Sequence, residues 1–356
     1  MPSIPVFIIA FLAAVVVTPV VRVISTLLGV IDRPDGNRKM HRRSTPLLGG
    51  LALFIAIAFT IVVAMYAGWL PGPHIKEKYL FGILIAASLL VIGGALDDRF
   101  NLRPSRQILW PIVAAAVIVA SGIGVVYVTN PLGGQVFLNR ISYTVLWWKG
   151  IPYRFTLLAD TFTFLWLLGM TYTTKFLDGL DGLVSGITVI GAIILAFVSV
   201  TRDVAQPDTA ILALIVAGAF LGFLLFNFHP AKIFLGEGGS TLAGFLLGTL
   251  AIISGGKIAT TLLVIGLPLL DAALVIVRRA FWERRSPTSG DRSHLHFRLL
   301  DLGWTQRQVV LFYWFIAALF GVSTFVLQGW EKLIAFAMIG SVIFFASLAT
   351  MTLHKK

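Results

Sequence analysis

LLADTFTFLWLLGMTYTTKFLDGLDGLVSGITVIGAIILAFVSV, residues 157–200, decides how the chain is read. Two apolar runs, 157–174 and 183–200, flank KFLDGLDGL at 175–183. Each run approaches the roughly 20 residues that a helix needs to cross a bilayer. Between them stand Asp178 and Asp181, three apart and each followed by glycine. A carboxylate at the edge of a membrane is costly, and such residues mark functional sites by default. On a helix the two would share a face, because i and i+3 are neighbours. The glycines equally admit a sharp turn or a close backbone approach. Two hard oxygen ligands suit Mg²⁺, which keeps waters and substrate phosphates in its shell. An EF-hand is excluded, since its D-x-D-x-D-G spacing is absent. An ordinary helix end is the competing reading of the same residues.

The apolar pattern continues through the 356 residues. Hydrophobic residues make up 58% of the chain and charged ones 12%, with a mean hydropathy of +0.92. A soluble protein carries about 25% charged residues. The composition therefore predicts an all-α polytopic membrane protein, 1–356 forming one integral membrane domain of about ten or eleven spans. The spans are expected at 3–29, 47–70, 80–97, 107–127, 157–174, 183–200, 209–227, 239–254, 258–278, 309–327 and 331–351. Residues 128–156 read as a small extracytoplasmic β-hairpin or amphipathic insert. The first apolar run has no positive segment before it, so it is expected as an uncleaved span with its N-terminus outside. There is no cysteine, which excludes disulfides, thiolate metal centres and cysteine nucleophiles. The net charge of +12 has a topological explanation rather than a nucleic-acid partner. With the N-terminus outside, most of the 28 Lys and Arg fall in cytoplasmic connections, as the positive-inside rule requires.

That orientation gathers the polar exceptions on one face. GALDDRFNL, 94–102, supplies adjacent Asp97 and Asp98 at the end of the third span. Neighbours on a helix point apart, so one can meet a metal while the other meets a different group; a close pair also raises one pKa and makes a base. A solvated loop balanced by Arg99 is the plainer reading. NFHPAKIFLGEGGS, 227–240, ends one span at Pro230 and opens the next, with Ser240 or Thr241 as expected cap. Its glycine-rich start offers N–H groups to phosphate, although no Walker lysine follows. Glu237 there is either a metal ligand or a counter-charge to the helix dipole. DRSHLHFRLLDLG, 291–303, places His294 and His296 two apart, on the same side of an extended loop. Zinc lacks a third ligand nearby, and Arg292 and Arg298 favour phosphate instead. RPDGNRKMHRRSTPLLGG, 33–50, adds Lys39 and His41 in a basic loop, with topology alone as the alternative explanation. Several carboxylates, two histidines and bases at a membrane surface suit Mg²⁺-dependent phosphoryl transfer between a nucleotide compound and a lipid.

The ordered motifs RKMH…GG, GALDDRFNL, LDGLDGL, NFHPAKIFLGEGGS and HLHFRL span nearly the whole chain. Together they resemble the polyprenyl-phosphate N-acetylhexosamine-1-phosphate transferase family. The resemblance implies a ten- or eleven-helix membrane fold in the bacterial plasma membrane, with the site facing the cytoplasm. It implies Mg²⁺, with Mn²⁺ as a substitute, and attack of a polyprenyl phosphate on a UDP-amino sugar with release of UMP. Carried over by motif, Asp97, Asp98, Asp178 and Asp181 are catalytic, and Asp98, Asp181 and Glu237 bind the metal. Lys39, His41, Lys175, Asn227, His294, His296 and Arg298 are expected to contact substrate. Glu237 stands where the family pattern has Asp, and Lys175 where it has Asn. Arg298 in HLHFRL resembles the branch that uses UDP-GlcNAc, with undecaprenyl phosphate as lipid. The phospho-MurNAc-pentapeptide branch is the alternative. A homodimer is compatible with the sequence.

A transporter is the rival from another class, since intramembrane acids also line ion paths. Depth separates the two: a transporter holds its acids near mid-bilayer, whereas these cluster at span ends. A lipid-binding scaffold without turnover would keep the same fold. The charge bias puts Lys39, Asp98, Asp181 and His296 on the cytoplasmic side. In this cysteine-free chain a single cysteine at Lys39 should react with an impermeant maleimide only after the membrane is opened. Labelling in intact cells would sink the shared cytoplasmic site.

Overall fold

The computed structural model describes residues 3–34, 44–130, 134–148, 151–201, 204–255, 257–278 and 294–353. The first long helix, α1 (Ser3–Leu27), leads to a two-residue bridge of β1 (Ile31–Asp32) with β2 (Thr45–Pro46). Then come α2 (Gly49–Tyr66), α3 (Glu77–Phe100), the short α4 (Pro104–Gln107) and α5 (Leu109–Ser121). Two antiparallel hairpins follow, β3 (Tyr127–Thr129) with β4 (Gln135–Phe137), and β5 (Ser142–Trp148) with β6 (Ile151–Thr156). The rest is helical: α6 (Leu157–Leu177), α7 (Leu183–Ser199), α8 (Pro207–Asn227), α9 (Gly236–Ile253), α10 (Ile258–Val264), α11 (Gly266–Arg278), α12 (Leu295–Asp301), α13 (Gln306–Ser323) and α14 (Trp330–Leu353).

Seven of the described helices, counting α4–α5 as one, are long and apolar enough to cross a bilayer, and the bent pair α10–α11 adds an eighth. Helices also occupy the other three expected spans, at α6, α7 and α14. Three expectations need correction. The span expected at 107–127 stops at Ser121, because Gly122 turns left-handed at φ 88. The span expected at 258–278 is broken by 79° between α10 and α11. Pro268 lies in the first turn of α11 and cannot donate into a helix continued from α10. The insert is a pair of hairpins rather than one.

α9 lies at the centre. Its apolar window is 89% buried, against 28% for α1, whose exposed Ile4, Ile8, Leu12 and Val16 suit a lipid-facing side. The sequence of α9, GEGGSTLAGFLLGTLAII, explains this, since small residues let helix backbones touch where water gives no driving force. A Cβ on Gly94 of α3 would overlap the Gly238 amide nitrogen, and one on Gly50 of α2 would overlap that of Gly239. Gly244 meets the Met170 carbonyl of α6 equally closely. Thr174 at the end of α6 donates its hydroxyl to the Ser240 carbonyl at 2.7 Å. On the opposite side of the molecule the buried Asp208, in the first turn of α8, accepts from the backbone of His74 and Ile75 at 2.7 and 2.8 Å. It also meets His74 Nδ1 at 2.9 Å, so the α2–α3 connection is latched to α8.

The glycine contacts make a graded prediction. Gly94→Ala should lower the unfolding temperature of the detergent-solubilised protein, with an overpacking cost of about 1–3 kcal/mol. Gly169→Ala in α6, where a Cβ meets nothing within 4 Å, should leave it unchanged or raise it. Equal behaviour of the two variants would refute the packing argument.

Candidate active site

The start of α9 is where the site is built. Gly236 has φ +69, and a Cβ there would overlap Asp98 Oδ2. Asp98 Oδ1 accepts the Glu237 amide at 3.0 Å. The glycine-rich helix start expected to cradle phosphate therefore receives a carboxylate of the chain itself. The expected cap also differs. The helix begins at Gly236 with Leu235 at the N-cap and no side-chain cap. Ser240 and Thr241 lie inside it and donate back to the carbonyls of Gly236 and Glu237 at 3.1 and 2.7 Å.

Asp97 points away from Asp98, as adjacent helical residues must. Its Oδ1 accepts from the Leu102 amide at 2.8 Å and from Gln107 Nε2 at 2.9 Å. Gln107 Oε1 accepts from Lys175 Nζ at 3.1 Å. The same ammonium lies 2.6 Å from Glu237 Oε1, and both side chains are only 19% exposed. A relay thus runs from Asp97 through Gln107 and Lys175 to Glu237.

The LDGLDGL segment is a turn, so Asp178 and Asp181 do not share a helix face. α6 ends at Leu177, Asp178 leaves the helical region at φ −74 and ψ 63, and Gly182 starts α7 at φ 80. Asp181 Oδ2 accepts from the Ala231 amide at 3.1 Å and meets His229 Nδ1 at 2.7 Å. The backbone carbonyl of His229 is held in turn by Arg307. Asp178 keeps a solvent-facing side. Protein packed around its carboxyl, with the charges of Glu237, Asp98 and Asp181, pushes its pKa up to about 8.

The histidine segment is helical from Leu295 rather than extended, with His294 at the N-cap of α12. The two rings still stack, with centroids 5.6 Å apart and planes 10° from parallel. Asp271, buried in α11, meets His294 Nδ1 at 2.9 Å and accepts the Leu295 amide at 2.9 Å. His296 is fully buried, with no hydrogen-bond partner on either ring nitrogen. It packs on Phe297 and lies over Gly179, where a Cβ would be 2.6 Å from Nε2. That glycine is how the two motifs fit together. Burial drives the His296 pKa down to about 4 despite the opposing charge of Asp271.

Asp98, Glu237, Lys175, Asp178 and Asp181 thus come from three separate parts of the chain to one end of the bundle. Asn227 spends its amide inside the protein, accepting from Ser185 at 2.7 Å and donating to the Ile233 carbonyl at 3.0 Å. Arg298 lies half-buried in α12. Lys39 and His41 lie outside the described residues. Sequence reasoning missed Gln107, His229 and Asp271. Asp271 was within its reach, as an acid inside an apolar run. His229 stands within NFHPAK, but its partnership with Asp181 is a tertiary contact. The donors are hard carboxylate oxygens, which fit Mg²⁺. Among the described residues no three acids or histidines are grouped so that they could hold a metal ion by themselves. Mg²⁺ does not require that, being content with one or two carboxylates, waters and substrate phosphates.

Comparison with known proteins adds a second line. The family described as Glycosyl transferase family 4 matches residues 80–255. A probable undecaprenyl-phosphate N-acetylglucosaminyl 1-phosphate transferase of Bacillus subtilis (strain 168) is 30% identical over 355 residues, covering 97% of this chain and 91% of the relative. A decaprenyl-phosphate N-acetylglucosaminephosphotransferase of Mycolicibacterium smegmatis is 31% identical over 331 residues, 85% of this chain and 77% of that protein. A phospho-N-acetylmuramoyl-pentapeptide-transferase of Caldicellulosiruptor bescii is 28% identical over 321 residues, 88% and 93%.

The buried imidazole yields a pH prediction. His296 has a folded pKa below its unfolded value of 6.5. The unfolded chain therefore binds the proton more readily, and stability falls as pH drops from 6.5 toward 4. Thermal unfolding across that range should show an acid loss that is smaller in His296→Phe. Identical pH slopes in the two proteins would refute a neutral buried His296.

Proposed function

The chain belongs to glycosyl transferase family 4, and from that premise we propose that it transfers N-acetylglucosamine 1-phosphate from UDP-GlcNAc to undecaprenyl phosphate, releasing UMP. It is a multi-pass membrane transferase of the kind that acts on polyprenyl phosphates and makes precursors of cell-envelope polysaccharide. The finer reading is supported by one observation above all: the carboxylates of α3, the α6–α7 turn and the start of α9 converge beside a lysine at one end of the bundle. The bias of Lys and Arg toward the connections at that end supports a cytoplasmic site. The relatives named for N-acetylglucosamine transfer and the HLHFRL segment favour UDP-GlcNAc over the pentapeptide-bearing donor.

In this reading an oxygen of the lipid phosphate attacks the sugar-bearing phosphorus of the donor. One P–O bond forms, the bond to the UMP oxygen breaks, and one diphosphate replaces another. Mg²⁺, when bound, neutralises the diphosphate and the charge that grows on the departing UMP. One or two of Asp98, Asp181 and Glu237 would hold it, with waters and substrate phosphate supplying the remaining oxygens. Lys175 adds a positive charge. Asp97 orients Gln107 and, through it, Lys175. His294, oriented by Asp271, lies on the segment packed over the DG turn, where it can meet the donor. Little covalent work is asked of the protein; positioning and electrostatics supply the rate.

Purified protein incubated with undecaprenyl phosphate, Mg²⁺ and a panel of UDP-sugars should release UMP with UDP-GlcNAc. Release only with UDP-MurNAc-pentapeptide would move the chain to the other branch. No release with any donor would favour a scaffold.

A further inference from the structure

We propose that Lys175 exchanges partners during donor binding: its ammonium holds Glu237 before the donor arrives, passes to the donor diphosphate, and leaves Glu237 free for a divalent cation. The proposal rests on the transferase reading and adds an order of events to it. The contact is direct, with Lys175 Nζ 2.6 Å from Glu237 Oε1 and both side chains 19% exposed. Gln107 holds the ammonium from the side at 3.1 Å, and the Tyr172 ring lies 5.5 Å beneath it. Asp97 fixes Gln107, so the lysine is held by a polar frame rather than by solvent.

The backbones cannot adjust to separate the pair. Thr174, next in sequence to Lys175, is bonded to the Ser240 carbonyl, and Gly244 packs on α6 at Met170. Gly236, next to Glu237, is pressed against Asp98. Exchange must therefore be a side-chain event, and lysine suits it, with a flexible four-carbon stem and a compact charge. A divalent cation on Glu237 would meet the like charge of the ammonium across the carboxylate that both would share. A diphosphate removes that conflict by offering the ammonium other oxygens. Donor and cation should then bind cooperatively, each tightening the other by the same factor.

The test uses the full-length protein in detergent, with Mn²⁺ binding read by electron paramagnetic resonance and no lipid acceptor present. In the wild type, saturating UDP-GlcNAc should tighten Mn²⁺ binding about 5-fold or more, within the usual range of coupling between sites. Lys175→Met should bind Mn²⁺ more tightly than wild type without donor, and the donor should then add little. Lys175→Arg, which keeps the charge, should retain coupling. If the Met variant does not fold, Lys175→Gln keeps the hydrogen bond to Gln107 and reads the same loss. Wild-type coupling that persists unchanged in the Met or Gln variant overturns the exchange and leaves the transferase reading intact. A wild type that binds neither Mn²⁺ nor UDP-GlcNAc removes the transferase reading and this inference together.

Discussion

The site depends on how closely other backbones can approach the first turns of α9. Gly50, Gly94, Gly236, Gly238 and Gly239 remove the side chains that would keep α2, α3 and α9 apart. At Gly236 the space is taken by the Asp98 carboxylate, which satisfies an amide that a helix start would otherwise leave bare. In a lipid solvent hydrophobic burial does little to join helices, so this van der Waals and hydrogen-bond fit must hold the crossing. The positions of Asp98 and of Glu237 beside its lysine follow from it. Asp98 reaches α9 because α3 lies against it, and Lys175 reaches Glu237 because α6 is pinned to α9 by Thr174 and Gly244.

A cluster of acids beside one lysine is under electrostatic tension. Desolvation of its carboxyl and the charges of neighbouring acids raise Asp178, and only Lys175 is in ion-pair contact with Glu237 among the described residues. Such a centre suits the reaction of the family, in which a doubly charged acceptor must approach a diphosphate. Fixed positive charge alone would bind both substrates and slow product release. The carboxylates beside the lysine offset part of that charge.

Much of this was legible in the residues. The membrane class is legible in the long apolar runs, and the acids at their ends stand out as candidates, because both signals are local in sequence. Charge and topology place the HLHFRL and LDGLDGL segments on the same face. What joins them is Gly179 beneath His296, a steric fit between segments more than 100 residues apart that no periodicity encodes. Helix breaks were harder. The 79° bend between α10 and α11 lies inside a run whose hydropathy is continuous, and only Pro268 hinted at it. The departures at Lys175 and Glu237 could each be noticed in sequence, but not that the two side chains touch. Asn227 shows the opposite failure. A polar residue in a functional stretch is used for bracing, with Ser185 and the Ile233 carbonyl taking its amide.

The β1–β2 bridge gives the basic loop between them an unusual standing. Ile31 and Asp32 pair with Pro46 and Thr45, the Leu47 amide donates to the Val30 carbonyl, and the Phe234 amide donates to the Pro46 carbonyl. Both ends of the intervening segment are therefore stapled to the connection that precedes α9. Closing such a loop costs only slowly more as it lengthens. The two ends are thus fixed sockets, held by the rest of the fold whatever the length of chain that joins them.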